Sequence, residues 1–145
     1  MVNIAVLGCG RIGVMHARNI AKHPRARLAT VFDIYQPSAD KVAAELGVKT
    51  SSSITEVLAD PGVDAILIAT STDTHADILE QAVAAGKPIL CEKPIDLSLA
   101  RVNAASRRFA TPTCPSCWAL CAALIRATAP RAMRCAVETS AICTR

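Results

Sequence analysis

The stretch Gly8-Cys9-Gly10-Arg11-Ile12-Gly13 constrains this chain more than any other. An apolar run, Asn3–Gly8, leads into it, and Arg11–His23, with apolar residues at helical spacing, leads out. The order is strand, glycine turn, helix, and the spacing is GxGxxG. Gly8 permits a tight turn, Gly10 lets a pyrophosphate approach the backbone, and Gly13 lets the helix pack close to the sheet. The start of the helix then offers unpaired N–H groups and the positive end of its dipole to phosphates. Glycine spacing alone is weak evidence. Here Asp33 lies 20 residues beyond Gly13, at the end of the next strand, Ala26–Asp33. A carboxylate there can bond the ribose hydroxyls of an adenosine.

The remainder of residues 1–110 alternates in the same way. Pro37–Gly47 opens with Pro and closes with Gly, the punctuation of a helix. Ser53–Asp60 carries a Ser followed three residues later by Glu, a capping-box pattern for a short helix. Val63–Thr70 and Pro88–Pro94 are apolar strands, Asp73–Lys87 is a helix stopped by Gly86, and Leu97–Phe109 is a further helix. This pattern predicts the α/β class: a doubly wound parallel sheet covered on both faces, a Rossmann dinucleotide-binding domain over residues 1–110. Ligands of such sheets bind beyond the carboxyl ends of the strands, so those positions hold the candidate site residues.

Asp33 speaks to the choice of cofactor. Its charge would repel a 2′-phosphate, and Ile34, Tyr35 and Gln36 offer no cation in exchange, so NAD is expected rather than NADP. The other reading of Asp33 is a cap on the following turn. After the third apolar strand come Thr70, Ser71 and Thr72, small hydroxyl residues where the cofactor should cross; Thr72 or Asp73 could equally cap the next helix. His75, in the first helical turn, reads more readily as a packed or capping histidine than as a base. The fourth strand ends in Glu92-Lys93-Pro94. Lys93 would project into the cleft, where a cation can orient a substrate hydroxyl and ease loss of its proton. The alternative is a surface lysine before a turn. Pro94 fixes the backbone there, a cis bond being one way of doing so. Cys91, inside an apolar strand, reads as a small core residue.

Composition excludes other classes. The net charge is +4 and aromatics are 3 %, so neither a basic footprint nor stacking platforms for nucleic acid are present. No apolar run approaches the roughly 18 residues that span a membrane. The N-terminus reads as a strand and not a signal peptide, which makes a cytoplasmic location the default.

Together, "GCGRIGVMHARNI", "VFDIY", "ATSTDTHADILEQAVAAGKPILCEKPIDL" and "RV" resemble the N-terminal half of the Gfo/Idh/MocA sugar and polyol dehydrogenases, with the third block most similar to bacterial inositol 2-dehydrogenases. The resemblance implies NAD-dependent oxidation of a ring hydroxyl to a ketone on a small polyol or sugar, with myo-inositol favoured. It implies that Gly8, Gly10, Arg11 and Ile12 line the dinucleotide, with Asp33 on the adenosine ribose. It places Thr70, Thr72 and His75 along the nicotinamide side, Glu92 near the nicotinamide, and Lys93 as the active-site lysine. Members of the family are more than twice this length. Their second domain supplies the substrate pocket, an Asp and His pair with the His as base, and the sheet through which they form homo-oligomers. None of that is visible here, and no histidine follows His75. The expectation is therefore a truncated chain, without turnover and without the family's assembly surface. The alternative is a stand-alone NAD-binding regulator without catalysis.

Residues 111–145 are a different object. All six glycines lie at or before Gly86, the last lysine is Lys93, and the only acid after Asp96 is Glu138. Cys114, Cys117, Cys121 and Cys135 could supply four thiolates to zinc, but the tail has one CxxC and no glycine for knuckle turns, so no metal is expected. A redox CxxC would open a helix after a strand, whereas this one follows a helix. Shifting the frame by one base gives a third reading. Cys117-Trp118 must then yield Leu and Trp118-Ala119 must yield Gly, and Ala110–Arg126 reads DTDVPVMLGFVRRFDP with ordinary codon choices elsewhere. That is similar to the strand "MVGFNRRFDP" which typically follows the family's nucleotide domain. The tail is thus expected to be irregular and out of frame.

Overall fold

The computed structural model describes residues 1–109 and 119–120. In chain order the elements are β1 Val2–Leu7, α1 Arg11–Lys22, β2 Ala26–Phe32, α2 Gln36–Leu46, β3 Lys49–Thr50, α3 Ile54–Ala59, β4 Ala65–Ile68, α4 Thr72–Ala84, β5 Ile89–Cys91, α5 Leu99–Phe109 and β6 Ala119–Leu120. The strands form one sheet in the order β3-β2-β1-β4-β5-β6, and every neighbouring pair is parallel. This is the doubly wound arrangement the sequence predicts.

Alternation along the strands explains the two cores. Ala5 and Leu7 of β1, with Ile66 and Ile68 of β4, point to one face and pack against Val57, Ala76, Leu79 and Ala82 of α3 and α4. Val6 and Leu67, the residues between them, point to the other and pack with Ala17, Ile20, Ala39 and Val42 of α1 and α2. Because both faces are covered, these strands read as continuous apolar runs.

The helix stops follow local chemistry. Gly47 and Gly86 take left-handed conformations, at φ 66° and 69°, Gly47 directly after α2 and Gly86 directly after Ala85, the C-cap of α4. The pattern at Ser53 is realised with a variation. Ser53 Oγ accepts the Glu56 N–H at 3.1 Å, but the Glu56 carboxylate reaches back to Ser52, accepting its N–H at 2.7 Å and its hydroxyl at 2.9 Å.

Two short strands differ from the expectation. β3 has only two residues, too few for any periodicity to mark it. It is fixed by pairing with Thr30 and Val31 and by the Thr30 hydroxyl, which donates to the Lys49 carbonyl at 3.0 Å. β6 lies in the segment expected to be irregular and pairs Ala119 with Ile89 and Leu120 with Leu90. Without β6 the outer edge of β5 would present unpaired N–H and C=O groups, and an extended segment can pair with them through its backbone whatever its side chains are. Cys114, Cys117, Cys121 and Cys135 lie outside the described residues, and so do the metal and redox readings placed on them.

Candidate functional site

The sheet order reverses between β1 and β4, and a crevice opens beyond their carboxyl ends. The three glycines of the first turn sit in it for three separate reasons. Gly8 has φ 97°, and a Cβ there would overlap the Ala69 carbonyl and lie 2.7 Å from Thr70 N. The ends of β1 and β4 therefore approach to a distance only glycine allows. A Cβ on Gly13 would overlap the Gly8 carbonyl oxygen and touch the Ala69 side chain, so the first turn of α1 sits directly on the loop. At Gly10 a Cβ would meet nothing within 4 Å. That is the open approach a phosphate needs.

Gly10 is also the N-cap of α1, with no side-chain cap and no acid in the first turn. The first intrahelical bond runs from Val14 N–H to the Gly10 carbonyl at 2.9 Å. The N–H groups of Arg11, Ile12 and Gly13 come before it and have no carbonyl behind them to donate to. Arg11 and Ile12 are exposed. In α3 one of the corresponding groups, the Glu56 N–H, is answered by Ser53. The start of α1 is left fit for an anion.

Asp33 caps the turn after β2, one of its two sequence readings, and reaches the glycine loop as well. Its Oδ2 accepts the Cys9 N–H at 2.6 Å and its Oδ1 accepts the Tyr35 N–H at 2.8 Å. One carboxylate thus ties the glycine loop to the end of β2 and caps the turn that follows. Each oxygen keeps lone-pair capacity for a further donor. Asp33 lines a cavity of about 460 Å³ with Gly8, Gly10 and Thr70. Ile54, Ile78, Asp77 and Gln81, from α3 and α4, also line it and were not among the sequence candidates. Asp77 is held by Arg101 of α5.

Cys9, inside the glycine loop, is buried, and its thiol is pushed up to about 11 by that burial and then by the Asp33 charge. It should therefore resist iodoacetamide at pH 8, where an exposed thiol near pKa 8.5 reacts readily. Mass spectrometry of the folded protein checks this, and rapid modification of Cys9 there would contradict it. Cys91 is buried in the core, as expected.

Beyond β4, Thr74 Oγ1 donates to the Ser71 carbonyl at 2.7 Å and lies 2.8 Å from Thr70 Oγ1. A hydroxyl has one proton, so Thr70 donates to Thr74 and keeps its own lone pairs as acceptors beside the cavity. The N-cap of α4 is Ser71, with Thr72 as the first helical residue, so neither Thr72 nor Asp73 is the cap. The His75 ring is buried, with Nδ1 2.8 Å from the Pro94 carbonyl oxygen and Nε2 3.0 Å from that of Thr70. Both nitrogens face backbone carbonyls, leaving none for a cofactor. His75 is packed behind the site, where it joins the ends of β4 and β5.

At the end of β5, His16 Nε2 of α1 donates to Glu92 Oε1 at 2.6 Å, and Glu92 N–H donates to the Ile68 carbonyl at 2.9 Å. The bond from His16 holds the Glu92 carboxyl below the usual carboxylate range, opposed by partial burial and helped by the His16 charge and by the backbone N–H and charge of Lys93. Lys93 is exposed, and its bond to Pro94 is cis. His16 was absent from the sequence candidates; only its proximity in space to Glu92 marks it.

A parallel sheet with a bare helix start at its switch point, and a carboxylate at the end of the second strand, defines a dinucleotide-binding domain. Residues 2–115 match the family described as "Oxidoreductase family, NAD-binding Rossmann fold", the Gfo/Idh/MocA oxidoreductases. The chain belongs to that family. It is 47% identical over 109 residues to the scyllo-inositol 2-dehydrogenase (NAD(+)) of Bacillus subtilis, a match covering 74% of this chain and 32% of the relative. A myo-inositol dehydrogenase from Corynebacterium glutamicum is similar at TM-score 0.70 and 40% identity, covering 74% of this chain and 32% of that one. The scyllo-inositol dehydrogenase of Lactobacillus casei, solved with NAD(H) and scyllo-inositol bound, is similar at TM-score 0.70 and 29% identity over the same shares, 74% and 32%. The chain spans about a third of the length of the curated relatives it matches. No helix among the described residues is long and apolar enough to cross a membrane.

Proposed function

We propose that this chain is the NAD-binding part of an inositol-type dehydrogenase, a system that oxidises a ring hydroxyl of a polyol, myo-inositol foremost, to a ketone. The observation that carries the reading is the placement of Asp33 at the end of β2 and Lys93 just past β5, on either side of the glycine crevice. Gly8 and Gly10, with the N–H groups of Arg11 and Ile12, would hold the pyrophosphate, and Asp33 the adenosine ribose. Thr70 and Thr72 edge the path between. NAD, when bound, supplies the hydride acceptor. Lys93 would donate a hydrogen bond to the reacting hydroxyl, orient it, and ease loss of its proton.

The base that takes that proton, and the walls that fit a polyol, are assigned to the part of the relatives that this chain does not match. On this reading the 145-residue chain binds NAD without oxidising polyols, and residues 111–145 are translated one base out of frame.

The test is calorimetric titration of the purified chain with NAD and NADP, followed by an assay of inositol-dependent NADH formation. Saturable NAD binding, weaker NADP binding and no NADH are expected. A folded chain that does not bind NAD overturns the cofactor reading; NADH formation by the short chain overturns the division of labour. Resequencing the gene from codon 100 onward tests the frame. If no family-like sequence follows in any frame, the out-of-frame reading is lost.

A further inference from the structure

β5 has only three residues, and its neighbour β6 pairs with just two of them. Among the described residues, the sheet contributes one more bond past Cys91, from Glu92 N–H to Ile68 O. The turn that carries Lys93 therefore leaves the sheet almost at once, and other contacts must fix it.

Two histidines reach it, from opposite faces of the sheet. His75, on α4 and buried in the layer on one face, meets the Pro94 carbonyl at 2.8 Å. His16, on α1 over the other face, bonds the Glu92 carboxylate at 2.6 Å. Lys93 lies between the two anchored residues. Glu92 and Lys93 are exposed enough to meet a ligand, and the His16 side chain is 21% exposed.

Topology says which part of a dinucleotide this turn serves. The strand order runs β2-β1-β4-β5, with Asp33 at the end of β2 and Glu92 at the end of β5. A dinucleotide with its adenosine at Asp33 and its pyrophosphate at the β1 loop must extend its other half toward β5. We propose that His16 is a positioning residue for Lys93: through Glu92 it closes, from α1, a clamp whose other jaw is His75. The proposal rests on the reading of Lys93 as a site residue. It also gives α1 a second task. The helix whose start faces the pyrophosphate holds, slightly more than one turn further on, the turn that faces the other half of the cofactor.

The experiment uses the full chain as wild type, His16→Leu and His16→Gln. Gln carries a terminal N–H donor where the His16 Nε2 stands; Leu carries none. Three quantities are read: hydrogen exchange of the Lys93 amide, affinity for NAD, and affinity for ADP-ribose, which lacks the nicotinamide. In His16→Leu the Lys93 amide should exchange about tenfold faster or more, as loss of a hydrogen bond to a charged group implies. NAD affinity should fall by roughly three- to tenfold while ADP-ribose affinity stays at the wild-type value, and His16→Gln should restore both exchange and NAD affinity. A purely structural histidine would move NAD and ADP-ribose together, and that result overturns the proposal. So does wild-type Lys93 exchange in His16→Leu, or absence of rescue by Gln. If wild type binds neither ligand, the cofactor reading fails instead, and the proposal resting on it falls too.

Discussion

Gly13→Ala should unfold far more easily than the wild-type chain, whereas Gly10→Ala should fold normally and lose its cofactor. The two glycines lie in one motif, three residues apart, and separate through their surroundings. At Gly13 the added methyl would overlap the Gly8 carbonyl oxygen, a backbone atom with no rotamer to escape by. Alanine gains about 1 kcal/mol over glycine from helix propensity. Overpacking against fixed backbone costs more, so a net loss of about 2 kcal/mol is expected, with Tm lower by roughly 8–16 °C for a domain of this size. At Gly10 the backbone is at φ −71°, open to any residue, and the methyl meets only solvent. The stability change should stay within about 1 kcal/mol. The methyl then occupies the approach to the bare N–H groups of α1, and NAD affinity should fall by at least about 100-fold, as for the loss of two charge-assisted hydrogen bonds. Urea unfolding and calorimetric titration of both variants check the pair. Equal stability losses in the two would show that the glycines are not divided in this way.

The sequence carried the sheet, the order of helices and strands, and the glycine loop because each has a local signature. Runs such as Ala65–Ile68 are apolar throughout since both faces of the sheet are covered, and Gly47 and Gly86 mark helix ends through a left-handed conformation that side chains resist. What stayed hidden is what tertiary structure alone brings together. Ile54 and Ile78 line the cavity, yet in sequence they occupy the apolar helix positions that core residues also occupy. His16 reads as one polar residue on an amphipathic helix until Glu92, 76 residues away, arrives beside it. His75 could be suspected but not assigned, because packing alone decides whether its nitrogens face a ligand or two carbonyls. β3 and β6 are too short to carry a period and exist through their partners.

Asp33→Asn should lose NAD affinity by roughly 10- to 100-fold and nearly erase the preference for NAD over NADP. The carboxylate accepts the Cys9 N–H on one oxygen and the Tyr35 N–H on the other. An amide has one oxygen, so whichever way it is turned its NH₂ group faces one of these two donors. Cys9 N is part-buried, and leaving it unanswered costs about 1–3 kcal/mol. The substitution therefore loosens the glycine loop as well as the ribose contact proposed for Asp33, and the affinity loss corresponds to one or two hydrogen bonds to a charged group. Selectivity changes for a separate reason: the repulsion of a 2′-phosphate disappears with the charge. Ile34, Tyr35 and Gln36 still supply no cation, so NADP should approach the weakened NAD value without reaching that of wild-type NAD. Cys9 provides an independent reading. The Asp33 charge is the lesser of the two causes that raise its thiol, after burial, so the pH at which it alkylates should move down in Asp33→Asn while staying above that of an exposed thiol. If NAD affinity and Cys9 reactivity both stay at wild-type values in a folded variant, Asp33 neither holds the ribose nor sets the charge of this loop.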